Sequence, residues 1–184
     1  EKPTEGTIRF KNEITEHILK ENPLQFRRSC QMIFQNPFDT FDPRDNVQRI
    51  LNTALKIHGI GNSKKERIDI SMKAMEDIGM KPARDYIYRY PHELSGGQLQ
   101  RISIIRSMLL NPELIIADEP VSMLDVSVRA DIINLLLELT KERGAAMIFI
   151  SHDIATTRYI SDRVGVMYLG RIVEMGYTDD VIHN

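Results

Sequence analysis

Apolar positions along this chain follow two different periods. Across residues 46–85 they recur at helical spacing, with Val47, Ile50, Leu51, Ala54, Leu55 and Ile57 before a break at Gly59 and Gly61. Ile68, Met72, Met75 and Ile78 then share a second helical face, which Gly79 and Pro82 end, and the methionines there read as packing rather than ligands. On either side lie short apolar runs of strand length: residues 30–34, 114–117, 145–150 and 164–168. Gly6-Thr7-Ile8-Arg9-Phe10 reads as a further short strand, whereas residues 14–20 carry no decisive pattern. Two prolines and several polar turn formers across residues 36–45 predict a loop after Gln35.

Two local signals sharpen this outline. Ser95-Gly96-Gly97-Gln98 has capping-box spacing, which starts a helix at Ser95 with Leu99, Ile102, Ile105 and Leu109 on its buried face and an end before Pro112. A second helix carries Val128, Ile132, Leu135, Leu136 and Leu139 and is closed by Gly144, and a short one covers residues 154–160. Strand, helix, strand, helix, strand from residue 114 to 168 predicts an α/β fold with a parallel sheet covered by helices. Leu169-Gly170-Arg171 then turns the last of these strands into a hairpin with residues 172–175.

Length and composition narrow the picture. The 184 residues suffice for one core, or one core with an inserted subdomain. A net charge of −2 and a pI near 6.2 argue against a surface built to hold nucleic acid. Cys30 is the single cysteine, so an intrachain disulfide or a cysteine-cluster metal site is excluded, and a buried thiol is the plain reading. No run approaches the ~20 apolar residues of a membrane-spanning helix. Glu1-Lys2-Pro3-Thr4-Glu5 lacks the basic-then-apolar pattern of a signal peptide, and with no initial methionine the chain is expected to be part of a longer one.

The chemistry concentrates in two stretches. Leu114-Ile115-Ile116-Ala117 delivers Asp118 and Glu119 to the end of a strand, the Walker-B arrangement, in which one carboxylate serves Mg2+ and the next polarises a water. A plain strand terminus would look the same. At Ser95, free amides, two glycines and the positive end of a helix suit a terminal phosphate, although an ordinary capped helix offers them too. Gln35 at a strand end and His152 in Ser151-His152-Asp153 carry no decisive meaning singly.

Taken in order, Gln35, Leu94-Ser95-Gly96-Gly97-Gln98, the run ending in Asp118-Glu119, Ser122-Met123-Leu124-Asp125 and Ser151-His152-Asp153 resemble the ATP-binding subunit of an ABC transporter. That resemblance implies a P-loop NTPase, a RecA-like parallel sheet with an inserted helical subdomain, here lacking the N-terminal part of the core. Residues 1–44 would hold core strands and the Q-loop, 45–95 the helical subdomain up to the signature, and 96–184 the rest of the core. Gln35 matches the Q-loop glutamine, which contacts Mg2+ and the attacking water. Ser95, Gly96, Gly97 and Gln98 match the signature that closes on the γ-phosphate of ATP held by an opposite subunit. Asp118 matches the Mg2+ carboxylate, Glu119 the general base, Asp125 the D-loop aspartate at the dimer seam, and His152 the switch histidine. Gln35-Asn36-Pro37, Phe41-Asp42-Pro43-Arg44 and Tyr90-Pro91-His92-Glu93 resemble the oligopeptide, dipeptide and nickel importer branch, from whose usual N-P-R Asp42 departs.

The implied function is ATP hydrolysis energising peptide import, at the cytoplasmic face of the membrane. The implied partners are a second ABC ATPase subunit, identical or related, permease subunits gripped by the Q-loop and helical subdomain, and, indirectly, an extracytoplasmic solute-binding protein. None of the ten glycines is followed by lysine, so the G-x-x-x-x-G-K-[ST] loop is expected upstream of Glu1, and this chain alone is expected to bind little ATP. The alternatives are a soluble ABC-type ATPase not coupled to transport and a catalytically incompetent fragment.

Overall fold

The computed structural model describes residues 3–183. It opens with a hairpin of β1 (Arg9–Phe10) and β2 (Glu13–Ile14), turned by Lys11 and Asn12 at φ of 50° and 65°. Helices α1 (Thr15–Glu21) and α2 (Pro23–Ser29) follow, the second started by the Asn22 side chain, which accepts the Gln25 N–H. Strand β3 (Cys30–Ile33) leads into a four-residue helix α3 (Pro37–Thr40), which interrupts the expected loop because Asn36 caps it and Pro37 suits a first helical position. Next come α4 (Val47–Ile57), α5 (Lys64–Asp77) and α6 (Gly96–Met108). The remaining elements are β4 (Leu114–Asp118), α7 (Val126–Arg143), β5 (Ala146–Ile150), α8 (Ile154–Ile160), β6 (Arg163–Tyr168), β7 (Arg171–Tyr177) and α9 (Thr178–His183).

The organising sheet is parallel and three-stranded, in the order β3-β4-β5. Its helical cover and the α4–α5 pair share one apolar cluster, in which Leu51, Met75, Ile102, Ile115 and Leu136 are fully buried. Each such side chain contributes roughly 1.5–3 kcal/mol relative to exposure. Helix α6 packs on β3, α3, α4, α5 and α7, so it is buried nearly all round rather than on one stripe. Leu109 is half-buried at its end, with Met108 and Leu110 in the buried places.

One expectation needs correcting. The run at residues 164–168 is a strand, yet it does not join the parallel sheet; β6 pairs antiparallel with β7 in a separate two-stranded sheet. The expected hairpin is the reason: Leu169 and Gly170 sit at φ of 46° and 75°, the paired positive values that turn a chain back in two residues. The outer edge of β5 is unpaired among the described residues, and Ile148 and Ile150 are 51% and 47% exposed. Residues 14–20, which carried no decisive pattern, are mostly α1.

Candidate functional site

Parallel register sets the geometry of the site. Ile33 lies opposite Ala117, and Asp118 opposite Ile150, so the three strands end side by side at one sheet edge. Gln35, Glu119 and His152 leave from that edge, one from each strand. Gln35 Nε2 donates to Glu119 Oε2 at 2.9 Å, and His152 Nδ1 lies 2.9 Å from Glu119 Oε1. Both carboxylate oxygens are thus engaged, by residues 84 and 33 positions away in sequence. The Glu119 side chain is 26% exposed, so water reaches it.

The backbone beneath that carboxylate is strained. Glu119 sits at φ +43°, a region disfavoured for residues with a side chain and costing about 1–3 kcal/mol. Three hydrogen bonds hold it there: its N–H donates to the Ile150 carbonyl at 2.9 Å, and its carbonyl accepts from the Ser122 N–H at 3.2 Å and Ser122 Oγ at 3.0 Å. Ser122 was quoted above only as part of a motif. A hydroxyl three residues after Glu119 is the turn signal that marks it.

Ser95 and Gln98 form the capping box. Ser95 Oγ accepts the Gln98 N–H at 3.3 Å, and Gln98 Oε1 accepts the Ser95 N–H at 3.0 Å. None of the described hydrogen bonds or ion pairs joins residues 95–98 to Glu119. Instead the start of α6 lies against the segment after β4: Gly96 faces Leu124 and Gly97 faces Val128. Asp125 is the N-cap residue of α7, yet its exposed side chain makes no cap hydrogen bond.

Asp118 and Gln35 offer oxygen donors at neighbouring strand ends, the hard ligands that Mg2+ takes. Gln35 uses its amide nitrogen on Glu119, leaving the amide oxygen as the donor suited to a cation. Among the described residues no group of three or more His, Cys, Asp or Glu side chains forms a metal cage. Mg2+ binds through one or two carboxylates together with substrate phosphates and water. Next to His152, Asp153 caps α8 by accepting the Ala155 and Thr156 N–H groups at 3.0 and 3.2 Å. The hydrogen bonds from Thr156, with that from Ala155, hold the Asp153 carboxyl below its ordinary range.

A basic groove of about 270 Å³ lies between α2, α4 and the end of α6, lined by Arg27, Ile50, Thr53, His58, Arg106 and Leu110 among others. The Arg106 guanidinium lies 5.0 Å from the centre of the Phe41 ring, just after α3. Burial pushes Arg106 below its usual range, and burial together with the nearby Arg28 does the same to His58. Sequence reasoning missed this groove, whose residues come from separate helices.

A family profile described as ABC transporter matches residues 1–122. The chain belongs to the ABC transporter family. Among proteins similar to this ABC transporter chain is the oligopeptide transport ATP-binding protein OppF of Bacillus subtilis (strain 168), 43% identical over 182 residues. That match covers 98% of this chain and 59% of OppF. The putative oligopeptide transport ATP-binding protein YkfD of the same organism is 44% identical over 173 residues, covering 94% of this chain and 52% of YkfD. The chain therefore spans between 52% and 59% of the length of these two relatives. Among solved structures, a dimeric post-hydrolysis state of the ATP-binding cassette MJ0796 bound to ADP and Pi superposes with a TM-score of 0.81 at 25% identity. It covers 97% of this chain and 75% of that cassette. The α/β P-loop ATPase fold expected above is thus the observed one.

Proposed function

We propose that the full-length protein is the ATP-hydrolysing subunit of a peptide importer. The observation that carries this reading is the convergence of Gln35 and His152 on the Glu119 carboxylate at the C-terminal edge of a parallel sheet. Glu119 is the general base. Gln35 and His152 fix its two oxygens, each of which keeps a further lone pair for the proton of an attacking water. With an ionised Glu119 accepting from His152 Nδ1, Nε2 is the remaining ring nitrogen and would serve a bound γ-phosphate.

Asp118 and Gln35 would hold Mg2+, which supplies charge neutralisation at the phosphates when bound. In the full-length protein a lysine-bearing glycine-rich loop would hold the β and γ phosphates; none of the ten glycines of these 184 residues is followed by lysine. Ser95, Gly96, Gly97 and Gln98 serve ATP held by a second ABC subunit, and Asp125 lies at the seam between the two. The Q-loop and the helical segment, with the basic groove near Phe41, would grip a short helix of a permease subunit at the cytoplasmic face of the membrane; an extracytoplasmic solute-binding protein would act further along the same assembly. The names of OppF and YkfD support peptides as the cargo.

The test is steady-state ATP hydrolysis by the full-length protein and its Glu119→Gln variant. The substitution keeps shape and removes the base, so kcat should fall by about 10²–10⁴-fold. Unchanged turnover would remove Glu119 from this role.

A further inference from the structure

The signature and the D-loop segment meet within one chain at a single close contact. A Cβ on Gly97 would lie 2.5 Å from Val128 Cγ1 and 3.7 Å from Val128 Cβ. Carbon atoms in contact ordinarily stand about 3.5–4.0 Å apart, so no side chain fits there. Gly97 is not among the residues at positive φ, so backbone conformation does not call for glycine. Glycine within a helix costs about 0.5–1 kcal/mol relative to alanine, and a packing constraint accounts for it here.

Val128 is half-buried and resists swinging aside. It is β-branched and sits in the first turn of α7, where such side chains have one strongly preferred rotamer. That turn is itself anchored: the Arg129 N–H donates to the Asp125 carbonyl at 2.9 Å, and Arg129 Nη2 donates to the Leu124 carbonyl at 3.1 Å. Further along α7, Ile132 and Leu136 are fully buried in the common core. A methyl at position 97 therefore forces either a disfavoured Val128 rotamer or a slide of the start of α6, with Ser95, off α7.

We propose that Val128 is a positioning residue for the signature: it fills the space Gly97 leaves and fixes Ser95 relative to Asp125. The signature and D-loop then present one rigid edge, flanked by Met123 and Val126, which are 64% and 80% exposed. This rests on the ATPase reading above. Gly97 is a glycine because of Val128, not only because a phosphate must approach.

The experiment is a size-exchange cycle in the full-length protein: Gly97→Ala, Val128→Ala, and both together. Gly97→Ala should lower kcat for ATP by roughly 10–100-fold, with KM within about twofold, because misplacement by about 1 Å has that effect. It should also lower Tm by roughly 3–8 °C through overpacking. Adding Val128→Ala should bring kcat to within about threefold of the Val128→Ala single variant and restore most of the Tm. A double variant as slow as Gly97→Ala despite a restored Tm overturns the positioning role. Wild-type Tm and kcat in Gly97→Ala overturn the contact itself. A wild-type protein without turnover, or an active Glu119→Gln variant, overturns the ATPase reading instead, and the Tm arm still tests the contact.

Discussion

The two ends of the candidate site are built in opposite ways. Around Glu119, side chains from three separate strand ends meet through hydrogen bonds that span 84 and 33 residues. Around Ser95, both capping bonds close within three residues of chain. The Glu119 end exists only if β3, β4 and β5 hold their register. The Ser95 end exists wherever α6 begins. A change in sheet register would therefore dismantle the Glu119 cluster and leave the capping box intact, whereas loss of the cap would reach Glu119 only through the packing of α6 on β3 and α7.

Substitutions can break this contrast, and the largest effects belong to the Glu119 end. Gln35→Ala and His152→Ala in the full-length protein should each lower kcat by about 10–100-fold with little change in Tm, since both side chains are exposed and act on the carboxylate. Because both act on one group, the double variant should be slower than either single variant but faster than the product of the two losses predicts; strict multiplication would show that they do not share Glu119. Next, Ser95→Ala should remove about 1 kcal/mol of helix capping and lower Tm by roughly 2–4 °C. Thermal unfolding measures it, and the same substitution at Ser122, which supports the strained Glu119 backbone through a single hydroxyl bond, should cost no more than about 1.5 kcal/mol.

The smallest effect is a pH dependence beside His152. The Asp153 carboxyl is held below its ordinary value of 3.8 by the hydrogen bonds that cap α8. Its folded-state value is depressed, so its contribution is fully present above the ordinary carboxylate range and is lost as pH falls through the folded value. Asp153→Asn should flatten the acid limb of Tm against pH below about pH 4, by roughly 1 °C or less because the group is only half-buried and solvent screens it. An equal slope in both proteins would remove Asp153 from that limb.

Legibility in the sequence follows the same division. The α6 cap, the closure of α7 by Gly144 at φ +62°, and the three strands of the parallel sheet were readable because each depends on neighbours a few residues apart. The convergence on Glu119 was not readable from spacing, because it depends on Ile33 facing Ala117 and Asp118 facing Ile150; only the family resemblance placed those residues together. The strand at residues 164–168 misled for a physical reason: an apolar run has the same pattern whether it joins a parallel sheet or folds back on its successor. Leu169-Gly170 held the answer, and the early hairpin at Lys11-Asn12 was missed because lysine is not a residue that usually marks a positive-φ turn.

The open side of β5 has a consequence for the chain in solution. A strand whose outer N–H and C=O groups lack partners among the described residues, with Ile148 and Ile150 half exposed beside it, is a template for intermolecular pairing. Such a rim can recruit an extended apolar segment from another copy of the chain. The chain's sedimentation mass should climb with concentration, and a lysine introduced at Ile148 should blunt that climb.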